Sequence, residues 1–156
     1  MSDFCHLPDD LSLGALISII FRTRSIILNH WLKPFGLSAG QYPVILFLLE
    51  NQDITQETLV KKFRIDRGTI ARAVKKLETA GYVTRKIDPE NRRAVRLFLT
   101  IKAEEIAPSL IKMNTEWENI VTSSMTISEL EHLNVILHKI ASASICKSCD
   151  SQKDLS

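Results

Sequence analysis

The sequence predicts a mainly α-helical fold with one small β-hairpin, and three observations support this prediction. Apolar residues recur at helical spacing in two long segments, 11–33 and 101–146. Between them, a short helical pattern over 66–80 is followed directly by two segments of alternating apolar and polar residues. Lysine and arginine are concentrated in the same central region. We therefore expect a small basic module between helices at the two chain ends.

The central helix has clear signals at both of its ends. Asp66 is a favourable N-cap, and the flanking Ile65 and Ile70 have the spacing of a hydrophobic staple. Gly81 ends the helix. Its residues divide between an apolar face, Ile70, Ala73, Val74 and Leu77, and an opposite face that is small and then cationic, Gly68, Arg72, Lys75, Lys76 and Thr79. A helix that lies against phosphates and base edges needs such a second face.

A β-hairpin is predicted directly after this helix. Its strands are 82–88 and 94–100, and Pro89, Glu90 and Asn91 form the turn between them. Arg92 and Arg93 lie at the tip of the hairpin. The helix and the hairpin tip are therefore both basic.

The charge of the central region differs from that of the rest of the chain. From Lys61 to Arg96 there are twelve Lys and Arg against four Asp and Glu, a net charge of +8. Since the whole chain carries +2, the remainder sums to −6. Such a local concentration is typical of nucleic-acid-binding modules, because phosphate neutralisation supplies most of their non-specific affinity. The alternative is a solvated charged face without a partner.

The composition is that of an ordinary globular chain, with 156 residues of which 45% are hydrophobic and 24% charged. The longest apolar run, Leu11 to Phe21, is shorter than the roughly 20 residues that span a bilayer. No cationic segment precedes it, as one would in a signal peptide. We therefore expect no membrane partner and a cytoplasmic location, in which the three cysteines are reduced thiols.

The first helix is predicted from Leu11 to about Lys33, with Pro34 and Gly36 ending it. Apolar residues occur on nearly every side of this helix, and a domain as small as the basic module cannot cover them all. This pattern predicts a subunit interface and hence a homodimer.

Two short helices are predicted before the central one. Ser38 and Gln41 form a capping box for a helix that runs to about Asn51. The next helix begins at Thr55 and ends near Phe63, very shortly before the central helix. Two short helices joined by a turn are a helix-turn-helix, and the hairpin that follows makes it winged.

Helical pattern resumes after the hairpin. Thr100 is an N-cap, Pro108 should kink the helix or mark a late start, and Thr126 with Glu129 opens a last helix. The predicted organisation is a helical dimerisation region at 1–35 and 101–146, a winged helix-turn-helix domain at 36–100, and a flexible tail at 147–156.

From Leu11 to Ile145 the chain resembles the MarR family (multiple antibiotic resistance regulators), most specifically in the hairpin segment DPENRRAVRLFLT. The resemblance implies a homodimer built from the first and last helices, recognition helices in successive major grooves, and wing arginines in the flanking minor groove. Two departures stand out. Asn91 occupies a position where the family usually has an Asp that holds the wing arginine, a role left to Asp88 or to a neutral hydrogen bond. The family's glycine shortly after Leu-Thr is absent.

The predicted DNA contacts follow from side-chain chemistry. Arg72 suits a bidentate contact to guanine, and Gly68 allows the backbone to approach DNA closely. Arg92 or Arg93 would enter the minor groove, where a narrow A·T-rich shape favours a guanidinium. The full predicted set is Arg67, Gly68, Thr69, Arg72, Lys75, Lys76, Asn91, Arg92 and Arg93. As alternatives, Arg67 pairs with Asp66 or Glu78 on the surface, and Arg85 and Lys86 are merely solvated.

An effector site is also implied by the resemblance, where the interface helices meet the winged module. Such sites often hold aromatic carboxylates. Arg24 or His30 would supply the cation, and Trp31, Phe35 and Tyr42 the walls. The alternative is that these residues only pack the interface.

The sequence is also compatible with two other classes of DNA-binding protein, a thiol- or metal-responsive regulator and an architectural protein. Cys146 and Cys149 have CxxC spacing, and Cys5 and His6 could come near them if both chain ends join the interface. Such a set could bind Zn²⁺ or switch by oxidation, or the cysteines could be an incidental tail. An architectural DNA binder would need no effector. No histidine, glycine or serine pattern of an enzyme is present, and no cofactor is predicted. We expect a transcriptional regulator, a repressor released from a palindromic operator by a small aromatic or phenolic ligand.

Overall fold

The computed structural model describes residues 7–88, 91 and 95–153, with side chains through Ile145. It confirms a mainly helical fold with a small antiparallel sheet. The helices are α1 Leu13–Leu32, α2 Tyr42–Glu50, α3 Gln56–Phe63, α4 Arg67–Thr79, α5 Ile101–Thr122 and α6 Ile127–Lys153. The strands are β1 Ile54–Thr55, β2 Val83–Ile87 and β3 Val95–Leu99. A 3₁₀ turn, Lys33–Phe35, follows α1.

The chain divides into two compact units, Met1–Thr115 and Glu116–Ser156. The first contains α1 to α4, the sheet and most of α5, and the second contains the end of α5 and α6. Helix α1 thus groups with the helix-turn-helix in one compact unit, while the division into a dimerisation region, a winged domain and a tail stays a prediction. Over the part of the chain that the structure describes, no helix is long and apolar enough to cross a membrane.

The core of the first unit is built from one stripe of each element. Fully buried residues come from α1, α2, α3, α4, β3 and α5 in turn: Leu28, Leu32, Ile45, Leu48, Leu59, Val74, Leu77, Leu97 and Leu110. Ile70 of α4 is also buried, whereas Ala73 is only half-buried. The apolar faces predicted for the short helices thus meet around β3.

The sheet has three strands in the order β1-β3-β2, all antiparallel. Leu97 of the central strand β3 lies opposite Ile54 of β1 and Arg85 of β2. The sequence predicted β2 and β3 but not β1, because two residues are too few to show alternation. Strand β1 exists only through its pairing with β3.

The start of α2 corrects the prediction at Ser38. The capping contacts do form, since Gln41 Oε1 accepts from Ser38 N at 2.9 Å and from Ser38 Oγ at 2.8 Å. However, 39–41 form a turn, and the regular helix begins at Tyr42. Pro43 has no N–H to donate to the carbonyl of Ala39, so the helical hydrogen bonds cannot continue from Ser38.

The N-caps predicted for the last two helices are confirmed. Thr100 caps α5, accepting from Ala103 N at 3.3 Å, so Pro108 lies inside a helix that starts before it. In the capping box of α6, Glu129 Oε2 accepts from Thr126 N at 2.7 Å, and hydrogen bonds from Thr126 lower the pKa of Glu129. Helix α6 continues to Lys153, and no Gly or Pro interrupts it. The flexibility predicted for 147–156 stays a prediction.

We expect Leu97→Ala to lower the free energy of unfolding by about 2 to 5 kcal/mol, because the central strand would lose a fully buried side chain. The matched control is Ile87→Ala on the neighbouring strand, where the side chain is 68% exposed and the cost should stay below about 1 kcal/mol. Urea unfolding at one fixed protein concentration measures both. Equal costs would contradict the placement of the core.

Candidate nucleic-acid interface

Helix α4 presents the predicted cationic face to solvent. Asp66 caps the helix, with its Oδ1 accepting from Thr69 N at 2.8 Å. Hydrogen bonds from the side chain and the backbone of Thr69 lower the pKa of Asp66. The residues predicted to face DNA are exposed, apart from the half-buried Thr69: Arg67, Gly68, Arg72, Lys75 and Lys76. The cap fixes where the helix starts, and the buried stripe fixes which face points outward.

The guanidinium of Arg72 is held near the start of α4. Its Nη2 donates to Thr69 Oγ1 at 2.8 Å. A Cβ on Gly68 would lie 3.3 Å from Arg72 Nη1 and 3.1 Å from Asp66 Oδ1. Gly68 therefore makes room for the Arg72 side chain, in addition to the backbone approach that the sequence suggested.

Arg67 is engaged by a residue that the sequence analysis did not consider. Its Nε and Nη2 donate to the two carboxylate oxygens of Glu57 in α3, at 3.0 and 3.3 Å. Neither Asp66 nor Glu78 is this bidentate partner. The hydrogen bond from Arg67 lowers the pKa of Glu57. No local spacing signals this pair, since its members lie on different helices.

The second half of α4 faces a groove of about 460 Å³. Residues of the turn before α2 and of α4 line it: Gly36, Leu37, Ser38, Gln41, Lys75, Lys76, Thr79 and Ala80. Lys75 Nζ lies 3.3 Å from Glu78 Oε2, so its charge is partly balanced within the helix. Gly36 has a φ of 65°, which lets the chain turn into this groove after α1.

The wing is described at its base. Arg92 and Arg93 lie outside the described residues. Asn91 is exposed and lines a cavity of about 430 Å³ together with Arg67 and Val95. Asp88, one of the two substitutes considered for the family's Asp, is buried and accepts from Arg96 Nε at 2.8 Å.

Arg85 and Lys86 pack against the protein and are not merely solvated. Arg85 Nε lies 3.4 Å from Glu78 Oε2, and its side chain is half-buried. Lys86 Nζ lies 4.8 Å from the centre of the Phe98 ring, in a cation–π contact. Both cations therefore contact neighbouring side chains at the base of the hairpin.

The predicted effector residues are only partly brought together. Asn114 Oδ1 accepts from Tyr42 Oη at 2.7 Å and from Arg24 Nη2 at 3.2 Å, so Arg24 and Tyr42 share one partner. Trp31 and Phe35 pack against the core, whereas His30 is exposed. The two cavities above are lined by other residues. Sequence reasoning missed Asn114, which lies 72 residues from Tyr42 along the chain.

The thiol and metal candidates lie largely outside what can be described. Cys5 and His6 are not among the described residues, and the side chains of Cys146 and Cys149 are not described either. Among the described side chains, no group of three or more His, Cys, Asp and Glu could hold a metal ion.

Comparison with known proteins identifies the family. The MarR family model matches residues 35–94. The chain is also 33% identical over 124 residues to the uncharacterized HTH-type transcriptional regulator YybA of Bacillus subtilis (strain 168), covering 80% of this chain and 83% of that protein. This chain belongs to the MarR family. As a MarR-family chain it is a winged-helix transcriptional regulator and not an enzyme.

Solved structures of MarR-family proteins have the same fold. The chain matches a MarR transcriptional regulator from Methanosarcina mazei Go1 with a TM-score of 0.79 and 33% identity, over 85% of this chain and 96% of that one. A MarR family regulator from Listeria monocytogenes, solved in complex with 26mer DNA, matches with a TM-score of 0.80 and 31% identity, over 85% and 89% of the two chains.

Proposed function

We propose that this MarR-family regulator binds palindromic duplex DNA as a homodimer and represses transcription by occupying its operator. The observation that carries the proposal is the face of α4, where Arg72 and Lys76 are exposed opposite a fully buried apolar stripe. The Listeria monocytogenes relative, solved with 26mer DNA, supports the same use of the fold.

The contacts divide by chemistry. Arg72 is oriented by Thr69 before DNA arrives, so less side-chain entropy is lost when it donates to guanine O6 and N7. Lys75, Lys76 and Thr69 suit phosphate contacts, which position the helix without reading sequence. Arg67 reaches DNA only by exchanging Glu57 for a base or a phosphate.

The wing completes the proposed contacts. The sequence predicts Arg92 and Arg93 at the tip of the hairpin. Among the described residues, Asn91 of the wing and Arg67 of α4 line one cavity. Guanidinium groups are favoured in narrow A·T-rich minor grooves. Such a contact would extend each half-site beyond the bases that α4 reads.

The proposed homodimer rests on apolar surface that each unit leaves exposed. In the first unit, Phe21 and Ile26 of α1 are 70% and 69% exposed. In the second unit, Ile120, Val121, Val135, Ile136 and Leu137 are exposed. Exposed large apolar side chains in such numbers indicate an interface. A two-fold dimer places its recognition helices on half-sites about one helical turn apart, which makes the operator palindromic.

An aromatic carboxylate is the proposed effector. Arg24 and Tyr42 converge on Asn114, so a carboxylate that takes hydrogen bonds from Arg24 or Tyr42 would separate α1 and α2 from α5 at this point. To release DNA, the ligand must bind the DNA-free arrangement more tightly than the DNA-bound one. A thiol or metal switch at Cys5, Cys146 or Cys149 is the competing outcome of the test below.

The first prediction is that the protein sediments as a dimer at micromolar concentration, because the apolar residues of α1 would otherwise remain in water. Phe21→Glu should shift the mass towards the monomer by burying a charge at the interface. Lys61→Glu, at an exposed position on α3 outside the predicted dimerisation region, is the control for added acidity. A compact, stable wild-type monomer would remove both the dimer and the palindromic operator.

The second prediction concerns base reading. Arg72→Ala should cost about 1 to 3 kcal/mol per half-site on the operator and relax its base preference, because a bidentate contact is lost. Arg92→Ala should weaken binding more evenly across sequences. Fluorescence anisotropy on the operator and on a scrambled duplex measures both, with Lys112→Ala as the control cation outside the winged module. Equal losses on both duplexes for Arg72→Ala would refute base reading by this residue.

The third prediction separates the proposed sensors. Salicylate should lower operator affinity at millimolar or lower concentration, and a Cys146→Ser, Cys149→Ser variant should respond equally, because the proposed ligand contacts no thiol. Hydrogen peroxide and a zinc chelator are added in parallel titrations. A wild type indifferent to salicylate, together with a variant that no longer responds to oxidant or chelator, would establish the thiol or metal switch instead.

A further inference from the structure

We infer that Arg96 is a positioning residue that fixes the wing by bridging Asp53 and Asp88, and that it does not itself contact DNA. The inference rests on the proposed DNA binding and assigns a role within it. By charge and location alone, a cation at the base of the wing would be counted as a phosphate contact. Its neighbours assign it a different role.

The guanidinium of Arg96 is held on two sides. Its Nε donates to Asp88 Oδ2 at 2.8 Å. Its Nη1 lies 3.1 Å from Asp53 Oδ2 and donates to the Asp53 carbonyl oxygen at 3.4 Å. One side chain on the central strand therefore ties the end of β2 to the loop that precedes β1. We call these three residues the wing clasp.

Burial shows which member of the wing clasp depends most on the others. The side chain of Asp88 is 8% exposed, against 32% for Arg96 and 50% for Asp53. A buried carboxylate needs charged or hydrogen-bonded partners, and removing a charged partner makes its burial less favourable. Asp88 and Arg96 thus hold each other in place, while Asp53 orients the guanidinium from the solvent side.

The strand register gives a second reason why Arg96 needs both carboxylates. In the β2–β3 ladder, Arg96 lies directly opposite Lys86. Like charges opposite each other on antiparallel strands destabilise the pair. Asp53 and Asp88 offset this repulsion, whereas a DNA phosphate could do so only in the bound state. The free protein therefore already carries the partners that Arg96 requires.

The wing clasp also lies where it can set the direction of the wing. Asp88 directly precedes the turn, and Arg96 follows it in β3. On the opposite side, Asp53 has a φ of 61°, unusual for a residue with a side chain, and it leads into the β1 residues that pair with β3. Contacts from Arg96 to both the backbone and the carboxylate of Asp53 hold this conformation. The base of the wing is thereby fixed relative to the loop before α3.

The position of the wing relative to α4 follows from this base. Asn91 and Val95 of the wing share a cavity with Arg67 at the start of α4 and Glu57 of α3. A shift at the base would change the distance from the wing to the recognition helix. The wing would then no longer reach the minor groove while α4 occupies the major groove.

A positioning role and a direct DNA contact of Arg96 predict opposite effects of Asp88→Asn on DNA affinity. If Arg96 contacts phosphate, Asp53 and Asp88 are unfavourable charges near DNA, and Asp88→Asn should tighten binding. If Arg96 positions the wing, Asp88→Asn should weaken binding although it removes a negative charge. Arg96→Lys also discriminates, because lysine keeps a phosphate contact but cannot donate to two carboxylates in a fixed fork.

The experiment uses the full-length protein and a duplex that the wild type enriches from a random pool, with a scrambled duplex beside it. Dissociation constants are measured against salt for Asp88→Asn, Asp53→Asn and Arg96→Lys. Each substitution is introduced into the wild-type sequence and into an Arg92→Ala, Arg93→Ala double variant that lacks the wing arginines. Sedimentation and thermal unfolding check that each variant remains a folded dimer, and the half-exposed Asp53 supplies a variant that least disturbs folding.

We expect Asp88→Asn and Arg96→Lys to weaken binding about tenfold in the wild type, as for residues that share one ion-pair network, and Asp53→Asn to weaken it less. In the background without wing arginines, all three should change affinity by less than about twofold. In the variants that weaken binding, the logarithm of the binding constant should depend less steeply on the logarithm of the salt concentration, because the wing contacts to DNA are lost.

Other outcomes overturn the inference. Tighter binding by Asp88→Asn, or full affinity in Arg96→Lys, would make Arg96 a direct contact. Equal losses in both backgrounds would show a general loss of structure without any effect specific to the wing. If the wild type enriches no duplex, DNA binding itself fails and this inference fails with it, whereas wild-type binding with the outcomes above refutes only the positioning role.

Discussion

The recognition surface depends on the burial of one stripe of α4. Val74 and Leu77 are fully buried and Ile70 is 2% exposed, packed into a core that α1, α2, α3, β3 and α5 share. Because side chains three and four residues apart lie on one face of a helix, burying this stripe turns Arg72, Lys75 and Lys76 outward. Each contact proposed for α4 therefore depends on apolar packing behind it.

The basic charge of the module is less freely available than its net value of +8 suggests. Three arginines of the module are paired with carboxylates. Arg67 pairs with Glu57, Arg85 with Glu78, and Arg96 with the two aspartates of the wing clasp. These pairs position α3, α4 and the strands relative to one another, and they leave less positive charge available to attract DNA. An exposed pair such as Glu57 and Arg67 is screened by salt, so in the proposed complex DNA would compete for the arginine. The carboxylate of Asp88 is buried, so salt screens its pair with Arg96 less.

Features governed by local spacing could be predicted from the sequence. The caps at Asp66, Thr55 and Thr100 lie where hydroxyl or carboxylate side chains precede helical patterns, and the structure forms them. The start of α2 was wrong, because Pro43 interrupts the hydrogen bonds that the Ser38 capping box would otherwise begin. A capping box therefore predicts side-chain contacts more reliably than it predicts the first helical residue.

Features that depend on tertiary contact could not be predicted in this way. Strand β1 forms through β3, more than forty residues later in the chain, since Ile54 lies opposite Leu97. Glu57 meets Arg67 only because α3 packs against α4, and no spacing rule joins them. Asn114 was missed for the same reason, although Arg24 and Tyr42 were both considered. Charge counts find the basic region, but the contacts decide which cations remain available.

The geometry of α1 suggests how an event at the dimer interface could reach the recognition helix. Leu28 and Leu32, in its last turns, belong to the core of the winged module, whereas Leu13, Ile20 and Phe21 in its earlier turns are exposed. Since helix α1 is continuous, a rotation at its exposed part is carried into the module core. Asn114 joins α1 and α2 to α5 between these two regions. In the proposed dimer, a ligand that disturbs this junction would need no contact with DNA, because changing the angle of α1 would change the separation of the two recognition helices.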